Sequence, residues 1–167
     1  ADSFTTAEDT PLALSAADLI GNDTDVDSID LTLVSVENAV GGVVSFEGGI
    51  VTFTPNTDFF GTASFEYLVT DGDTNPVTGT VTIDVTPVND AVRVTGDSFA
   101  TDEDVALNLA PSAFLANDID PDGDTITITA VTAITQGAAA VIEADGTITL
   151  TPPANESGQI RFEYTVA

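Results

Sequence analysis

The chain contains two copies of one sequence pattern, and this internal repeat constrains its fold more than any other feature. Asp2-Ser3-Phe4 recurs as Asp97-Ser98-Phe99, and other early motifs recur at the same offset of 95 residues. Phe65-Glu66-Tyr67 recurs as Phe162-Glu163-Tyr164, at an offset of 97 residues. A repeat of this length indicates homologous modules, which we place at 1–90 and 91–167. The change of offset predicts a two-residue insertion between Val131 and Pro152.

Each module consists of short runs in which apolar and polar residues alternate, a pattern typical of half-buried β-strands. With 43% hydrophobic residues, the chain has enough apolar side chains for packed cores. In the first module we predict seven strands, near 3–6, 12–14, 31–36, 43–47, 50–54, 63–70 and 77–86. Gly48-Gly49 and Asp145-Gly146 are predicted hairpin turns, and 16–19 and 112–115 one helical turn each. Seven short antiparallel strands predict an all-β, immunoglobulin-like sandwich.

The second module ends before its last predicted strand. By the 97-residue offset Ala167 matches Thr70, so no residues correspond to the strand at 77–86. We therefore expect an open sandwich whose strand edges invite pairing with another chain. The sequence looks like a piece of a longer protein, in which the missing strand is either truncated or supplied from elsewhere.

The charge of the chain excludes several classes of function. There are 28 acidic residues and 2 basic ones, a formal net charge of −26. Such a polyanion lacks the cationic surface that nucleic acids and anionic membranes require. No apolar run is long enough to insert into a membrane. Without His, Cys or Lys, only carboxylates and hydroxyls remain for chemistry, and the usual zinc sites are excluded in favour of cations that bind oxygen.

The predicted strand directions decide which acidic residues meet at the two ends, or poles, of each module. The loop after the first strand, the loop containing Asp58 and the exit segment share the far pole of the first module. We predict metal ligands there at Glu8, Asp9, Asn89 and Asp90, with Asp58 the weakest candidate. At the near pole of the second module the candidates are Asn117, Asp118, Asp120, Asp122 and Asp124. The near pole of the first module has Asn22, Asp23, Asp25 and Asp27, together with Asp71 and Asp73 from the last loop.

Clustered carboxylates without lysine indicate a bound cation. Two carboxylates about 4 Å apart repel by about 4 kcal/mol at an effective dielectric constant near 20. Ca²⁺ accepts six to eight oxygens from flexible loops, whereas Mg²⁺ demands stricter geometry. The spacing of Asp118, Asp120, Asp122 and Asp124 would place their side chains on one side of an extended loop. The alternative is that these residues form turns or a solvated surface, roles that Asp and Asn commonly take.

The order of the motifs resembles the cadherin-like tandem repeats of large bacterial RTX-type adhesins. The resemblance rests on Glu-Asp-Thr-Pro-Leu, Asn-Asp-x-Asp, Phe-Phe-Gly, Phe-Glu-Tyr-Leu-Val-Thr-Asp-Gly and Pro-Val-Asn-Asp-Ala, and it covers both modules. It implies a cadherin-like β-sandwich, Ca²⁺ at the module junctions and an extracellular location on the bacterial cell surface. By position, it implies ligand roles for Glu8, Asn89, Asp90, Asp118, Asp120 and Asp71. The second module lacks the residue that would match Asp71, so its junction site is one ligand short.

Two functions remain open at this point. In the first, Ca²⁺ fixes the joint between neighbouring modules of the same chain and extends a secreted adhesin away from the cell. In the second, the module is a calcium-dependent lectin or peptide binder whose half-coordinated ion recognises a surface polysaccharide or protein. An enzyme is not expected. A carboxylate pair is able to cleave glycosides, but neither short module has an insertion that would form a cleft.

Overall fold

The structure, a computed structural model, describes residues 1–26, 30–72 and 75–167. These residues form two compact units, unit 1 at Ala1–Asn89 and unit 2 at Asp90–Ala167. Both are built almost entirely of short β-strands in two sheets, so the predicted all-β sandwich fold is confirmed.

Unit 1 has all seven of the predicted strands. Its described elements are β1 (Asp2–Ala7), β2 (Leu12–Ser15), α1 (Ala16–Ile20), β3 (Thr32–Val40), β4 (Gly42–Glu47), β5 (Ile50–Pro55), β6 (Gly61–Thr70) and β7 (Val77–Thr86). One sheet has the strand order β1-β7-β6-β3 and the other β2-β5-β4. The alternating apolar residues of both sheets point inward, and Val51, Phe53 and Phe65 are completely buried between them.

The pairing of β1 with β7 departs from the prediction of a wholly antiparallel sandwich. β1 is parallel to β7, whereas β6 is antiparallel to it. When seven strands alternate in direction, the first and the seventh run the same way. Because the two are also neighbours in the sheet, their pairing is parallel. The chain therefore enters unit 1 at one pole and leaves it at the opposite pole.

The short helix α1 closes the loop end of the β2-β5-β4 sheet. Ser15 caps its N-terminus: the Ser15 hydroxyl accepts a hydrogen bond from the Asp18 amide, and the Asp18 carboxylate accepts one from the Ser15 amide. The Ser15 hydroxyl also donates to the Asp18 carboxylate, and this bond, followed by the one from the Ser15 amide, lowers the pKa of Asp18. Leu19 is completely buried and anchors the helix in the core. A helix of five residues has little stability of its own, so the cap and this anchor hold it in place.

Unit 2 repeats β2 to β6 of unit 1, without the strands that come first and last along the chain. Its strands are β8 (Leu107–Leu109), β9 (Ile128–Ala133), β10 (Ala139–Ile142), β11 (Ile148–Thr151) and β12 (Phe162–Val166), with 3₁₀ turns at Pro111–Ala113 and Leu115–Asn117. The sheets are β10-β11-β8 and β12-β9. As predicted, unit 2 has no counterpart of β7. Residues 97–102, the counterpart of β1, also form no strand, because among the described strands β1 pairs with β7 alone.

The insertion in unit 2 is divided between two connections. The β4–β5 hairpin turns through two residues, Gly48 and Gly49, both with positive φ. In the β10–β11 hairpin the Glu143 amide donates to the Thr147 carbonyl at 2.8 Å, so three residues form the loop. The pairings of β9 and β10 place the second extra residue in the connection between those strands. Hairpin loops accept one extra residue at little cost, provided that a glycine supplies the positive φ; Gly146 does so here.

Candidate metal centres

Glu8 lies at the pole of unit 1 from which the chain leaves, which we call the exit pole. Its amide continues the β1–β7 ladder by donating to the Thr86 carbonyl at 2.9 Å. Its carboxylate accepts a hydrogen bond from the Val88 amide in the exit segment. Only 3% of Glu8 is exposed, whereas its counterpart Glu103 in unit 2 is exposed. In unit 1 the exit segment covers Glu8.

Asp9 and Asp58 meet at the same pole. The Asp58 amide donates to an Asp9 carboxylate oxygen at 3.3 Å, and both residues have positive φ. Unit 2 has the same contact, from the Asn155 amide to the Asp104 carboxylate at 2.7 Å. Asp and Asn adopt positive φ more readily than other residues that carry a side chain. The contact thus fastens the β1–β2 loop to the β5–β6 loop in both units, whether or not the second residue carries a charge.

The opposite end of unit 1, which we call the entry pole, brings two carboxylates to one tyrosine. The Tyr67 hydroxyl lies 2.9 Å from Asp23 Oδ2 and 3.1 Å from Asp2 Oδ2. The side-chain amide of Asn22 donates to the other Asp2 oxygen, Oδ1, at 2.6 Å. Gly79 on β7 makes room for the ring, because a Cβ at that position would lie 2.2 Å from Tyr67 Cζ. Asp2 is 7% exposed and Tyr67 1% exposed.

Unit 2 repeats this arrangement at its own entry pole. The Tyr164 hydroxyl lies 3.1 Å from Asp118 Oδ2, and the Thr95 amide donates to Asp118 Oδ1 at 2.8 Å. Asp118 is 9% exposed. Asp97, the counterpart of Asp2, has a buried carboxylate oxygen, Oδ2, without a hydrogen bond. The constellation of tyrosine and two aspartates is therefore a property of the repeat.

The electrostatics of these poles leave negative charge uncompensated. A hydroxyl has one proton, so Tyr67 donates to only one of its two carboxylates at a time. Burial, followed by the neighbouring Asp23 and Asp2, raises the pKa of Tyr67 well above its usual range. Burial and hydrogen bonds to Asp118 and Asp97 raise the pKa of Tyr164 in the same way. Unit 1 has 15 acidic residues and no Lys, Arg or His, so no cationic side chain of that unit neutralises Asp2 or Glu8.

The acidic loop of unit 2 does not have the extended shape that the spacing of its aspartates predicts. The Gly123 amide donates to the Asp120 carbonyl at 3.2 Å, which closes a turn. Asp120 Oδ1 accepts hydrogen bonds from the amides of Asp122 and Asp124, at 2.9 and 3.4 Å. Asp122 Oδ2 accepts from the Asp90 amide at 2.7 Å. The predicted alternation fails because the short side chain of Asp120 caps its own loop.

The remaining predicted ligands fall into three groups. Asp25 and Asp71 line one cavity of about 350 Å³ together with Asn22 and Asp23, so the structure brings these four together at the entry pole. Asn89 and Asn117 are exposed, the first at the end of unit 1 and the second in a 3₁₀ turn. Asp27 and Asp73 lie outside the described residues. Whether any of these residues binds metal stays a prediction.

Asp2 and Asp97 were not among the candidate ligands predicted from the sequence. Both begin a strand or strand-like segment, where an acid usually faces solvent, and their partners lie far along the chain. The Tyr67 hydroxyl that contacts Asp2 is 65 residues away. The signal that identifies the constellation is joint recurrence, since Asp2, Asp23 and Tyr67 all recur in the second copy.

The groups at the poles fit a hard divalent cation. At the entry pole of unit 1, the Tyr67 hydroxyl and the Asp2 and Asp23 carboxylates offer oxygen, and the Asn22 side-chain amide donates to Asp2. The carboxylates come from loops and strand ends, which adapt to the irregular coordination of Ca²⁺ more readily than to the octahedron that Mg²⁺ demands. The donor set excludes a preference for soft metals, because it contains no sulfur or imidazole.

Comparison with known proteins gives one family and several distant structural neighbours. The family model described as "Cadherin-like domain" matches residues 1–86 and again residues 88–167. The structure of human mucin-like protocadherin EC1-2 aligns with a TM-score of 0.47 and 13% identity, over 99% of this chain and 92% of that one. An endo-fucoidan hydrolase of glycoside hydrolase family 107 aligns with a TM-score of 0.36 and 18% identity. A Bacteroides ovatus protein, SGBP-B of a mixed-linkage glucan utilization locus, solved with a mixed-linkage heptasaccharide, aligns with a TM-score of 0.31 and 15% identity.

The alignment with the hydrolase covers 100% of this chain and 26% of the hydrolase chain. The alignment with SGBP-B covers 99% of this chain and 39% of the SGBP-B chain. Among curated protein sequences, none matches significantly. In the part of the chain that the structure describes, no helix has the length and apolar character needed to cross a membrane.

Proposed function

Because the chain belongs to the cadherin-like domain family, we propose that it is a calcium-binding extender module pair of a secreted bacterial surface adhesin. Tandem cadherin-like domains are an adhesion-type module, typically without enzymatic activity. In the proposed mechanism, Ca²⁺ binds at the poles of the units and fixes the joint between them. The chain's own residues supply carboxylate ligands from loops that the sandwich holds in place.

One observation carries the proposal, namely that unit 1 buries two carboxylates without a cationic side chain. Glu8 is 3% and Asp2 7% exposed, and unit 1 has no Lys, Arg or His. A buried, ionised carboxylate costs several kcal/mol unless a charge compensates it. The side chains of unit 1 provide hydrogen bonds but no positive charge. A divalent cation supplies that charge and accepts the oxygens.

The position of the exit pole along the chain supports a role at the joint. Glu8 contacts Val88, two residues before the start of unit 2. Asp122 contacts Asp90, the first residue of unit 2. We propose that Ca²⁺ bound by ligands before and after the connection between residues 89 and 90 stiffens that connection. This stiffening is the core of the proposal.

The cellular setting follows from the resemblance to RTX-type adhesin repeats. Extracellular Ca²⁺ sites of this kind bind at about 10⁻⁴ to 10⁻³ M. Such sites are filled outside the cell and largely empty in the cytosol. The net charge of −26 then keeps the chain loose before export, and Ca²⁺ promotes folding after it.

Calorimetry tests the proposal directly. The full chain is melted in EDTA, in Ca²⁺ and in Mg²⁺, and Ca²⁺ binding is counted by isothermal titration. At Ca²⁺ about a hundredfold above the dissociation constant, each site adds about 2.7 kcal/mol, so Ca²⁺ should raise the melting temperature well above the EDTA and Mg²⁺ values. Transitions that are identical in Ca²⁺ and EDTA would refute it.

A pair of variants separates the joint from the rest of the chain. Asp90→Asn should weaken Ca²⁺ binding and broaden the distribution of interunit distances in small-angle scattering. Asp84→Asn is the matched control, because Asp84 is exposed on β7; it should change neither. Equal effects of the two substitutions would show that the response reflects total charge and not a site.

The lectin alternative has less support in the described residues. Tyrosine rings that bind sugars present an exposed face, but Tyr67 is 1% exposed and the Tyr164 ring packs against Phe114 at a centroid distance of 5.6 Å. A polysaccharide array probed with and without Ca²⁺ distinguishes this function from the extender. Calcium-dependent retention on a single glycan class would favour the lectin.

A further inference from the structure

The Tyr67 hydroxyl has one proton and two carboxylates within reach. Its oxygen lies 2.9 Å from Asp23 Oδ2 and 3.1 Å from Asp2 Oδ2. The Leu19 carbonyl is 3.4 Å away, too far for a hydrogen bond of similar strength. The hydroxyl therefore donates either to Asp23 or to Asp2.

The two carboxylates differ in what else they are able to bind. Asp23 lines the cavity of about 350 Å³ at the entry pole, together with Asp25 and Asp71. Asp2 is not among the described residues that line this cavity; it is 7% exposed, and its Oδ1 accepts a hydrogen bond from Asn22. A cation in the cavity would thus bind Asp23, while Asp2 stays available as a hydrogen-bond acceptor.

The phenol ring is held in place, so a change of acceptor requires only that the O–H bond turns. Tyr67 is 1% exposed. The backbone of Gly79 lies so close to the ring that a Cβ there would be 2.2 Å from Tyr67 Cζ. Rotation about the Cζ–O bond moves the proton from one carboxylate to the other without repacking the core.

Unit 2 contains the same three groups. The Tyr164 hydroxyl lies 3.1 Å from Asp118 Oδ2 and also hydrogen bonds to Asp97. The other Asp97 oxygen, Oδ2, is buried and accepts no hydrogen bond. A tyrosine between one carboxylate of the acidic loop and a second carboxylate at the start of the unit is therefore a feature of the repeat.

We propose that Asp2 is a positioning residue for the cation site at the entry pole of unit 1, an inference that rests on the proposed function. In the cation-free chain the Tyr67 hydroxyl donates to Asp23 and orients its carboxylate. When Asp23 binds Ca²⁺, the hydroxyl turns and donates to Asp2. Without this second acceptor the hydroxyl would either retain Asp23 or stay buried without a hydrogen bond, and both weaken binding. Asp97 has the same role for Asp118 in unit 2.

Two substitutions of Asp2 separate its hydrogen bond from its charge. Asp2→Leu and Asp2→Asn both remove the negative charge and nearly keep the shape of the side chain, but only asparagine keeps an oxygen that accepts the Tyr67 proton. Isothermal titration of the full chain with Ca²⁺ should show binding about tenfold weaker for Asp2→Leu than for Asp2→Asn. In a Tyr67→Phe background, which lacks the hydroxyl, the two should bind within about twofold of each other.

Near-ultraviolet absorbance follows the tyrosine itself. The chain has two Tyr and no Trp, so Tyr164→Phe leaves Tyr67 as the only tyrosine. Ca²⁺ should shift the absorbance of this chain and of its Asp2→Asn version, and the shift should be smaller with Asp2→Leu. Melting in EDTA checks that each variant is folded. If Asp2→Leu does not fold, Asp97→Leu and Asp97→Asn make the same comparison in unit 2.

The outcomes distinguish this inference from the proposed function. Equal Ca²⁺ affinities of Asp2→Leu and Asp2→Asn would overturn the inference alone, because Ca²⁺ would still bind. A difference that persists in the Tyr67→Phe background would also overturn it, since Asp2 would then act without the hydroxyl. A wild-type chain that binds no Ca²⁺ would refute the proposed function, and this inference with it.

Discussion

Replacing Glu8 with glutamine should change stability in opposite directions in EDTA and in Ca²⁺. Glutamine keeps the shape of the side chain and an oxygen that accepts the hydrogen bond from the Val88 amide. It removes one negative charge from a site that is 3% exposed. The substitution therefore changes the charge of the side chain while keeping its shape.

The magnitude follows from two opposing free energies. In EDTA, relieving an uncompensated buried charge should stabilise unit 1 by about 1 to 3 kcal/mol. In Ca²⁺ a hundredfold above the dissociation constant, the wild-type chain gains about 2.7 kcal/mol from the site, which the variant loses. The variant is less stable than wild type in Ca²⁺ whenever the relief is smaller than about 2.7 kcal/mol, and at the lower estimate of relief the difference is about 2 kcal/mol. For a domain of this size, that corresponds to a melting temperature roughly 10 °C lower.

Scanning calorimetry measures both conditions on the same protein. Glu47→Gln is the control, because Glu47 is exposed in the same unit and should change the melting temperature little in either buffer. The reasoning is refuted if Glu8→Gln lowers the melting temperature equally in EDTA and in Ca²⁺. Glu8 would then act only as a structural link between the β1–β2 loop and the exit segment.

Three further predictions concern other parts of the chain. In EDTA, absorbance at 295 nm should show Tyr67 and Tyr164 ionising well above the ordinary tyrosine pKa of about 10. Because the unfolded chain loses these protons at a lower pH than the folded chain, the free energy of unfolding should fall as the pH rises past 10. Ionisation of the folded protein at the ordinary tyrosine pKa would contradict this. Gly79→Ala would place a Cβ 2.2 Å from Tyr67 Cζ, so urea denaturation should show a loss of about 1 to 3 kcal/mol, whereas Gly96→Ala, with open space around its Cβ, should lose far less. Ser15→Ala removes the cap of α1 and should cost about 1 kcal/mol in the same assay, with Ser15→Thr, which keeps the hydroxyl, costing far less; an unchanged midpoint for Ser15→Ala would show that the cap contributes nothing.

The strands could be predicted from the sequence because their signal is local. Alternation of apolar and polar residues places one face of each strand in the core, and all seven predicted strands of unit 1 form. The helical turn predicted at 16–19 is confirmed, because Ala16–Ile20 is helical. The parallel pairing of β1 with β7 was missed, because direction alone does not show which strands become neighbours.

The candidate sites were predicted less completely. Glu8, Asp9 and Asp58 were assigned to one pole from strand directions, and the contacts of Glu8 with Val88 and of Asp9 with Asp58 agree with that assignment. The shape of the acidic loop in unit 2 was wrong, since the turn at Asp120 depends on side-chain to backbone bonds that spacing does not encode.

The sequence by itself determined that the chain is acidic, repeated, all-β and one strand short in its second copy. These properties depend on composition, on self-similarity and on the two-residue period of a strand, which are all visible without a fold. The tertiary structure alone decided that Asp2 and Asp23 share the Tyr67 hydroxyl and that Glu8 is buried beneath the exit segment. Those contacts join residues 44 to 80 positions apart, and only the packing of the two sheets brings such residues within hydrogen-bond distance.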